Sequence, residues 1–169
     1  MRKLILILTT IIVLILINLE IIHKEELLQD GTLILLKLAP RDPRSLMQGD
    51  YMVLRYEIAQ QPALSSAPRD GHLVIETDNN RIAQFKRFYD NTTPLQKTEY
   101  LLRFRKRGDS FNSAIRLGAE SFFFQEGDGE YYAQARYGEL RVAATGESVL
   151  VGLRDENLQP LLAPPVTEP

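Results

Sequence analysis

The chain predicts an all-β domain, an antiparallel barrel or sandwich of about eight strands with one short helix, preceded by a single N-terminal transmembrane helix. Three observations lead there. The segment Leu4 to Leu19 is apolar and carries no charge. From Thr32 onward, short apolar or alternating runs are cut by turn residues at roughly 8 to 15 positions, the habit of antiparallel β proteins. With 169 residues, 44% hydrophobic and 25% charged, the chain has the make-up of one folded domain plus an extra segment.

The anchor comes first. Extended to Ile22 with Glu20 as its one charge, the apolar run nears the ~20 residues that cross a hydrocarbon core as helix. A cleaved signal peptide and a buried core helix are the alternatives. Cleavage is disfavoured because Asn18-Leu19-Glu20-Ile21-Ile22 is bulky or charged where a peptidase needs small residues. Arg2 and Lys3 precede the span, whereas Glu20, Glu25, Glu26 and Asp30 follow it with Lys24 alone in opposition. Positive flanks stay in the cytoplasm, so the expected placement is a single pass through the inner membrane with the C-terminal domain in the periplasm or outside the cell. The helix is expected to run on into water until Asp30-Gly31 stops it.

Thr32 to Ala39 reads as a strand buried on both sides, and Asp50 to Ala59 as an alternating strand with Met52, Leu54, Tyr56 and Ile58 on one face and Tyr51, Val53, Arg55 and Glu57 on the other. After a loop from Gln60 to Asp70, His72 to Thr77 and Arg81 to Tyr89 predict a hairpin whose Asp78-Asn79-Asn80 turn tolerates left-handed backbone. Thr98 to Arg107 alternates, setting Tyr100, Leu102 and Phe104 apart from Glu99, Arg103 and Arg105; Phe111 to Leu117 is its expected partner. Asp128 is expected to cap a short helix reaching Tyr137. Glu139 to Ala144 and Glu147 to Leu153 predict a closing hairpin around Thr145-Gly146. The resulting division is an anchor over 1–22, a helical extension over 23–31, a β-rich domain over 32–158 and a Pro-rich tail over 159–169.

Charge and composition narrow the function. The formal net charge is -2, and no clustered basic surface of the kind a nucleic acid demands is evident, so no nucleic-acid partner is expected. The absence of cysteine excludes disulfides, thiolate metal sites and a lipoprotein route. His23 and His72 are too few for a histidine-based zinc centre unless carboxylates complete it, and no cofactor is expected.

The densest chemistry lies in Ala39 to Ile58. There Arg41, Asp42 and Arg44 sit beside two prolines that stiffen the loop, ahead of Gly49-Asp50-Tyr51 and Tyr56. Those four residues, with Asp42-Pro43-Arg44 before them, resemble the bacterial family named after its GDYXXXXY motif. Further along, Glu126, Gly127, Tyr132, Arg136, Tyr137 and Gly138 match the family's Glu-Gly and Tyr-x-x-x-Arg-Tyr-Gly pattern, as does Leu150-Val151-Gly152-Leu153. The resemblance covers most of the chain. It implies a membrane-anchored, extracytoplasmic protein of unassigned role with a membrane protein for partner.

Enzymatic readings compete with it. The signal peptidase family has a Ser-Met-x-Pro-Thr-Leu-x-x-Gly-Asp stretch that Leu46, Gly49 and Asp50 partly match, with Ser45 at its Thr position. Arg41 stands at the nucleophile position, and a guanidinium cannot attack a carbonyl. Asp42, Asp50, Glu57 and Glu126 could form an acid/base or calcium set, but Arg41, Arg44 and Arg55 offer ion-pair partners. Phe122, Phe123, Phe124, Tyr131, Tyr132 and Tyr137 could line a groove, though core filling is the simpler use. Arg103, Arg105, Lys106 and Arg107 read as a solvated strand face before a polyanion or lipid site.

The favoured expectation is a non-enzymatic accessory module. It is held in the lipid bilayer through Leu4 to Ile22 and contacts an integral membrane or envelope protein by the Arg41 to Asp50 loop and the Glu126 to Tyr137 turn. The alternative is an extracytoplasmic hydrolase or ligand sensor built on the same loop.

Overall fold

The computed structural model describes residues 2–40, 51–107 and 114–162. Its first element is an uninterrupted helix, α1 (Arg2–Asp30), long and apolar enough to cross a membrane. Thr9 and Thr10 donate their hydroxyls to the carbonyls of Ile5 and Leu6, which hides these polar groups within the apolar run. The helix stops where expected, and Leu27 is its one buried residue.

Nine strands follow among the described residues: β1 (Thr32–Lys37), β2 (Tyr51–Val53), β3 (Asp70–Thr77), β4 (Ala83–Phe88), β5 (Glu99–Arg107), β6 (Ala114–Arg116), β7 (Ser121–Phe123), β8 (Tyr137–Val142) and β9 (Ser148–Arg154). They form a three-stranded sheet β1-β8-β9, a four-stranded sheet β4-β3-β5-β6 and a ribbon β2-β7, every pairing within them antiparallel. The two larger sheets touch along one side through the parallel bridge Leu35 to Ile82. Elsewhere they meet where Arg103 N donates to Gly146 O at 2.8 Å and Ser148 Oγ to Leu117 O at 3.2 Å. The sheets stay open, so the barrel-or-sandwich alternative resolves to a sandwich.

One core fills the space between the layers, built from Ile34, Leu36, Leu73, Ile75, Leu102, Phe104, Leu140 and Leu153 with the inward residues of the ribbon. Full burial of an aliphatic or aromatic side chain is worth roughly 1.5–3 kcal/mol. Ile34, Leu35 and Leu36 are all buried, as expected of a strand covered on both faces.

Several local expectations are corrected. The strand expected over residues 50–59 ends at Val53. Tyr56 makes only an isolated bridge to Leu38, and Glu57–Gln60 winds into a 3₁₀ helix, followed by another at Pro62–Ser66. In the β3-β4 turn the left-handed residue is Arg81, at φ 63°, rather than one of the asparagines. Asp78 Oδ1 accepts the N–H groups of Asn80 and Ile82, and Arg81 N donates to Asp78 O at 3.0 Å, so the turn spans 78–81 and its last residue takes the left-handed bulge position. The helix expected up to Tyr137 is a single turn, α2 (Gly129–Tyr132), and the Asp128 side chain makes no capping bond.

Glu99 is the largest surprise. Alternation set it with outward Arg103 and Arg105, yet it is 6% exposed. The Asp90 to Thr98 loop folds over it: Gln96 N donates to Glu99 Oε2 at 3.1 Å, and Lys86 and Arg87 pair with the carboxylate at 3.0 and 3.4 Å. The Gln96 amide, then Lys86, hold its pKa below the usual carboxylate value; backbone amides of Thr93 and Thr92 do the same for Asp90. A depressed folded-state pKa contributes stability that is full above the unfolded value, about 4.3 for Glu, and lost as pH falls through the folded one. The urea midpoint is therefore expected to drop as pH is lowered below about 4. Glu99→Gln is expected to be less stable at pH 7 and to show a shallower acid decline; an unchanged pH slope contradicts this role for Glu99.

Candidate functional site

The residues singled out by sequence separate into those that build the fold and those left on its surface. Arg41, Asp42, Arg44, Gly49 and Asp50, and with them Ser45 and the peptidase-like stretch, lie outside the described residues. Tyr51 and Tyr56 face opposite ways: Tyr51 is 40% exposed and Tyr56 only 1%. Tyr56 donates its hydroxyl to the carbonyl of Ala119. Its ring lies against Gly138, where an added Cβ would stand 2.9 Å from Tyr56 Cε1. Burial, and secondarily the Glu120 charge, pushes the phenol well above its ordinary pKa, which keeps it a hydrogen-bond donor rather than an acid or base.

The two motif stretches thus interlock. Leu38 N donates to Arg136 O at 2.8 Å, Ala39 N to Arg55 O at 2.7 Å, and Arg136 N to Arg154 O at 2.8 Å. The backbone of residues 136–138 is clasped between β1, the Tyr56 segment and β9. Tyr132 is buried and touches Phe122, Phe124 and Tyr131 at ring-centroid distances of 4.9, 5.5 and 5.2 Å. Tyr132 thus joins the core, with half-buried Phe122, Phe124 and Tyr131 packed against it, whereas Phe123 stands outward. Glu126, Gly127 and Arg136 are exposed, Gly127 at φ 97°, and Tyr137 is half-buried in β8.

What remains outward is an aromatic face on the ribbon. Tyr51 and Phe123 are register partners with ring centroids 5.8 Å apart, and Val53 shares their side of β2. Phe123 is 73% exposed and Val53 44%. Their neighbours Met52 and Leu54 point the other way, into the core.

Among the described residues the carboxylates do not assemble into a reaction centre. Glu57 pairs with Lys37 at 3.1 Å, Glu139 with Arg154 at 2.6 Å, and Glu126 has no ion pair among the described residues. No group of three metal-ligating side chains converges among the described residues. Glu147, on the β8-β9 turn, does different work. It accepts from His23 Nε2 at 2.8 Å and faces Lys24 at 3.8 Å and Arg103 at 3.5 Å. The His23 hydrogen bond, then the nearby lysine, lowers its pKa. Arg141 Nη1 also donates to Gly31 O at 2.8 Å, so the end of α1 is fastened to the domain at two points. This clasp was invisible in sequence, because His23 and Glu147 are 124 positions apart.

A family described as GDYXXLXY protein has a model that matches residues 13–153, from the middle of α1 to the end of β9. Leu54, which alternation sets on one face with Met52, Tyr56 and Ile58, stands where that description prints its leucine. No curated protein and no solved structure matches the chain.

Proposed function

We propose, since this chain belongs to the GDYXXLXY protein family, that it is a membrane-anchored, non-enzymatic accessory module whose β domain meets another membrane or envelope protein at the outer surface of a bacterial inner membrane. The observation that carries the reading is the solvent-facing Tyr51–Phe123–Val53 surface on a domain clasped directly to an apolar helix. Aromatic side chains left outward on a scaffold are favoured contact residues, since they bring large area at low conformational cost. Arg41, Asp42, Arg44 and Asp50 precede Tyr51 in sequence, while Glu126 and Arg136 supply polar groups from the turn that follows β7. The helix continues without a break from the apolar run to Asp30, and Glu147 of the domain already meets it at His23, one residue past Ile22. A partner protruding little from the bilayer is within reach.

Orientation follows from Arg2 and Lys3 before the apolar run and the acidic residues after it. A reporter fused to the C-terminus is expected to be active only outside the cytoplasm. For the contact itself, Tyr51→Ser with Phe123→Ser is expected to melt within about 1 °C to 4 °C of the wild type, because both side chains face solvent. The same variant should lose the products seen when the full-length protein is photo-crosslinked in intact membranes. Unchanged products from a normally folded variant defeat this surface as the contact.

A further inference from the structure

We infer that the cleft between the exit of α1 and the outer face of the four-stranded sheet binds a phosphate-bearing anion, as a phospholipid headgroup would present it. The cleft encloses about 390 Å³ and brings together Lys24, Arg103, Arg105 and Arg116, with Glu120 and Glu147. Pockets of roughly 300–1,000 Å³ hold small ligands.

Two features distinguish this cluster from an ordinary solvated strand face. Arg105 and Arg116 are direct register partners on β5 and β6, so two guanidinium groups stand opposite each other on one face. Like charges in that position destabilise a sheet. Among the described residues no carboxylate pairs with either: Asp70, across from Arg105 on β3, forms no ion pair with it. The cleft's two carboxylates are already committed. Glu120 Oε1 accepts the backbone amides of Leu117 and Gly118, and Glu147 is engaged by His23, Lys24 and Arg103. Four cations thus face two occupied anions, leaving an uncompensated pair of planar, multi-donor groups. Guanidinium forks match phosphate oxygens in geometry and in charge.

Depth supplies the ligand's source. Lys24 follows Ile22 by two residues, about 3 Å along a helix. The headgroup layer is roughly 5–7 Å thick on each side of the hydrocarbon core. If the helix spans the bilayer, Lys24 and the mouth of the cleft therefore lie at phosphate level. The lipid source rests on the anchoring proposed above; the phosphate chemistry does not. The domain beyond the anchor, from Glu25 onward, carries 17 basic against 21 acidic residues, so a general attraction to anionic lipid does not explain such binding.

The test uses the full-length chain in detergent and in phosphatidylcholine nanodiscs doped with photoactivatable phosphatidylglycerol, beside Arg105→Gln/Arg116→Gln. Inorganic phosphate titrated onto the detergent-solubilised protein should raise the wild-type melting temperature and leave that of the variant unmoved. Without phosphate the variant should melt at or above the wild type, since a like-charge pair has been removed. Crosslinking to phosphatidylglycerol should fall about tenfold or more in the variant. A phosphate response that vanishes in the variant, without lipid crosslinking, keeps the site and assigns it a soluble phosphate. Failure to enter nanodiscs sinks the anchoring alone, because the phosphate titration still decides the cleft. Equal phosphate response and equal crosslinking in wild type and variant overturn the inference.

Discussion

Replacing Tyr56 by alanine is expected to lower the free energy of unfolding by ~3–5 kcal/mol, measured by urea titration of the detergent-solubilised chain. The ring is 1% exposed and lies against Gly138 within the main core, and it joins the segment after β2 to Ala119 and to β8. Truncation leaves a cavity at the point where both motif stretches meet. Tyr56→Phe keeps the ring and removes only the hydroxyl, so the Ala119 carbonyl loses this donor, at a cost of about 1–3 kcal/mol. A motif tyrosine used for recognition would behave differently: its variants would stay stable and lose binding. If Tyr56→Ala melts like the wild type, the structural role assigned to the second motif tyrosine is wrong.

The second large effect belongs to Gly138→Val. The added Cβ would stand 2.9 Å from Tyr56 Cε1, 3.1 Å from its hydroxyl oxygen and 3.4 Å from Leu150 Cδ1, before the two methyl groups are counted. Overpacking of this kind costs about 1–3 kcal/mol. The cost should depend on Tyr56, because the ring is what the new side chain strikes. In a Tyr56→Ala background, Gly138→Val is expected to be nearly neutral, since the valine fills part of the space the ring vacated. A double-mutant cycle measures this coupling directly. Additive losses would show that the glycine is needed for a reason other than the approach of Tyr56.

These effects give the family pattern a physical content. Tyr56 and Gly138, 82 positions apart, form one packing contact, and Leu54 and Tyr132 add to the same core. Tyr51, by contrast, points outward beside Phe123. The motif therefore divides between a part that secures the ribbon to the sandwich and a part left on the surface. Tyrosine at both positions conceals that division; the odd spacing along extended backbone, which runs past the end of β2 to Tyr56, reveals it.

The clasp around Glu147 links the two halves of the molecule in a similar way. One carboxylate on a tight turn, whose Gly146 has φ 84° and leaves no room for a side chain beside His72 and Arg103, holds the end of α1 through His23 and Lys24. A helix that ends in such a contact carries the domain as a fixed attachment rather than on a flexible tether.

Periodicity alone determined much of this protein. The apolar run over Leu4 to Leu19, the inward set Met52, Leu54 and Tyr56, the hairpins around Asp78 and Gly146 and the all-β class were all legible, because each depends on residues near one another in the chain. Tertiary structure alone decided the burial of Glu99 under the Asp90 to Thr98 loop, the meeting of Tyr56 with Gly138, the grip of Glu147 on His23, and the placing of Arg105 opposite Arg116. The physical reason is the same in each case. A charge or an aromatic ring acquires its role from what stands across from it, and strand register and loop closure bring distant segments together in ways that no local pattern encodes.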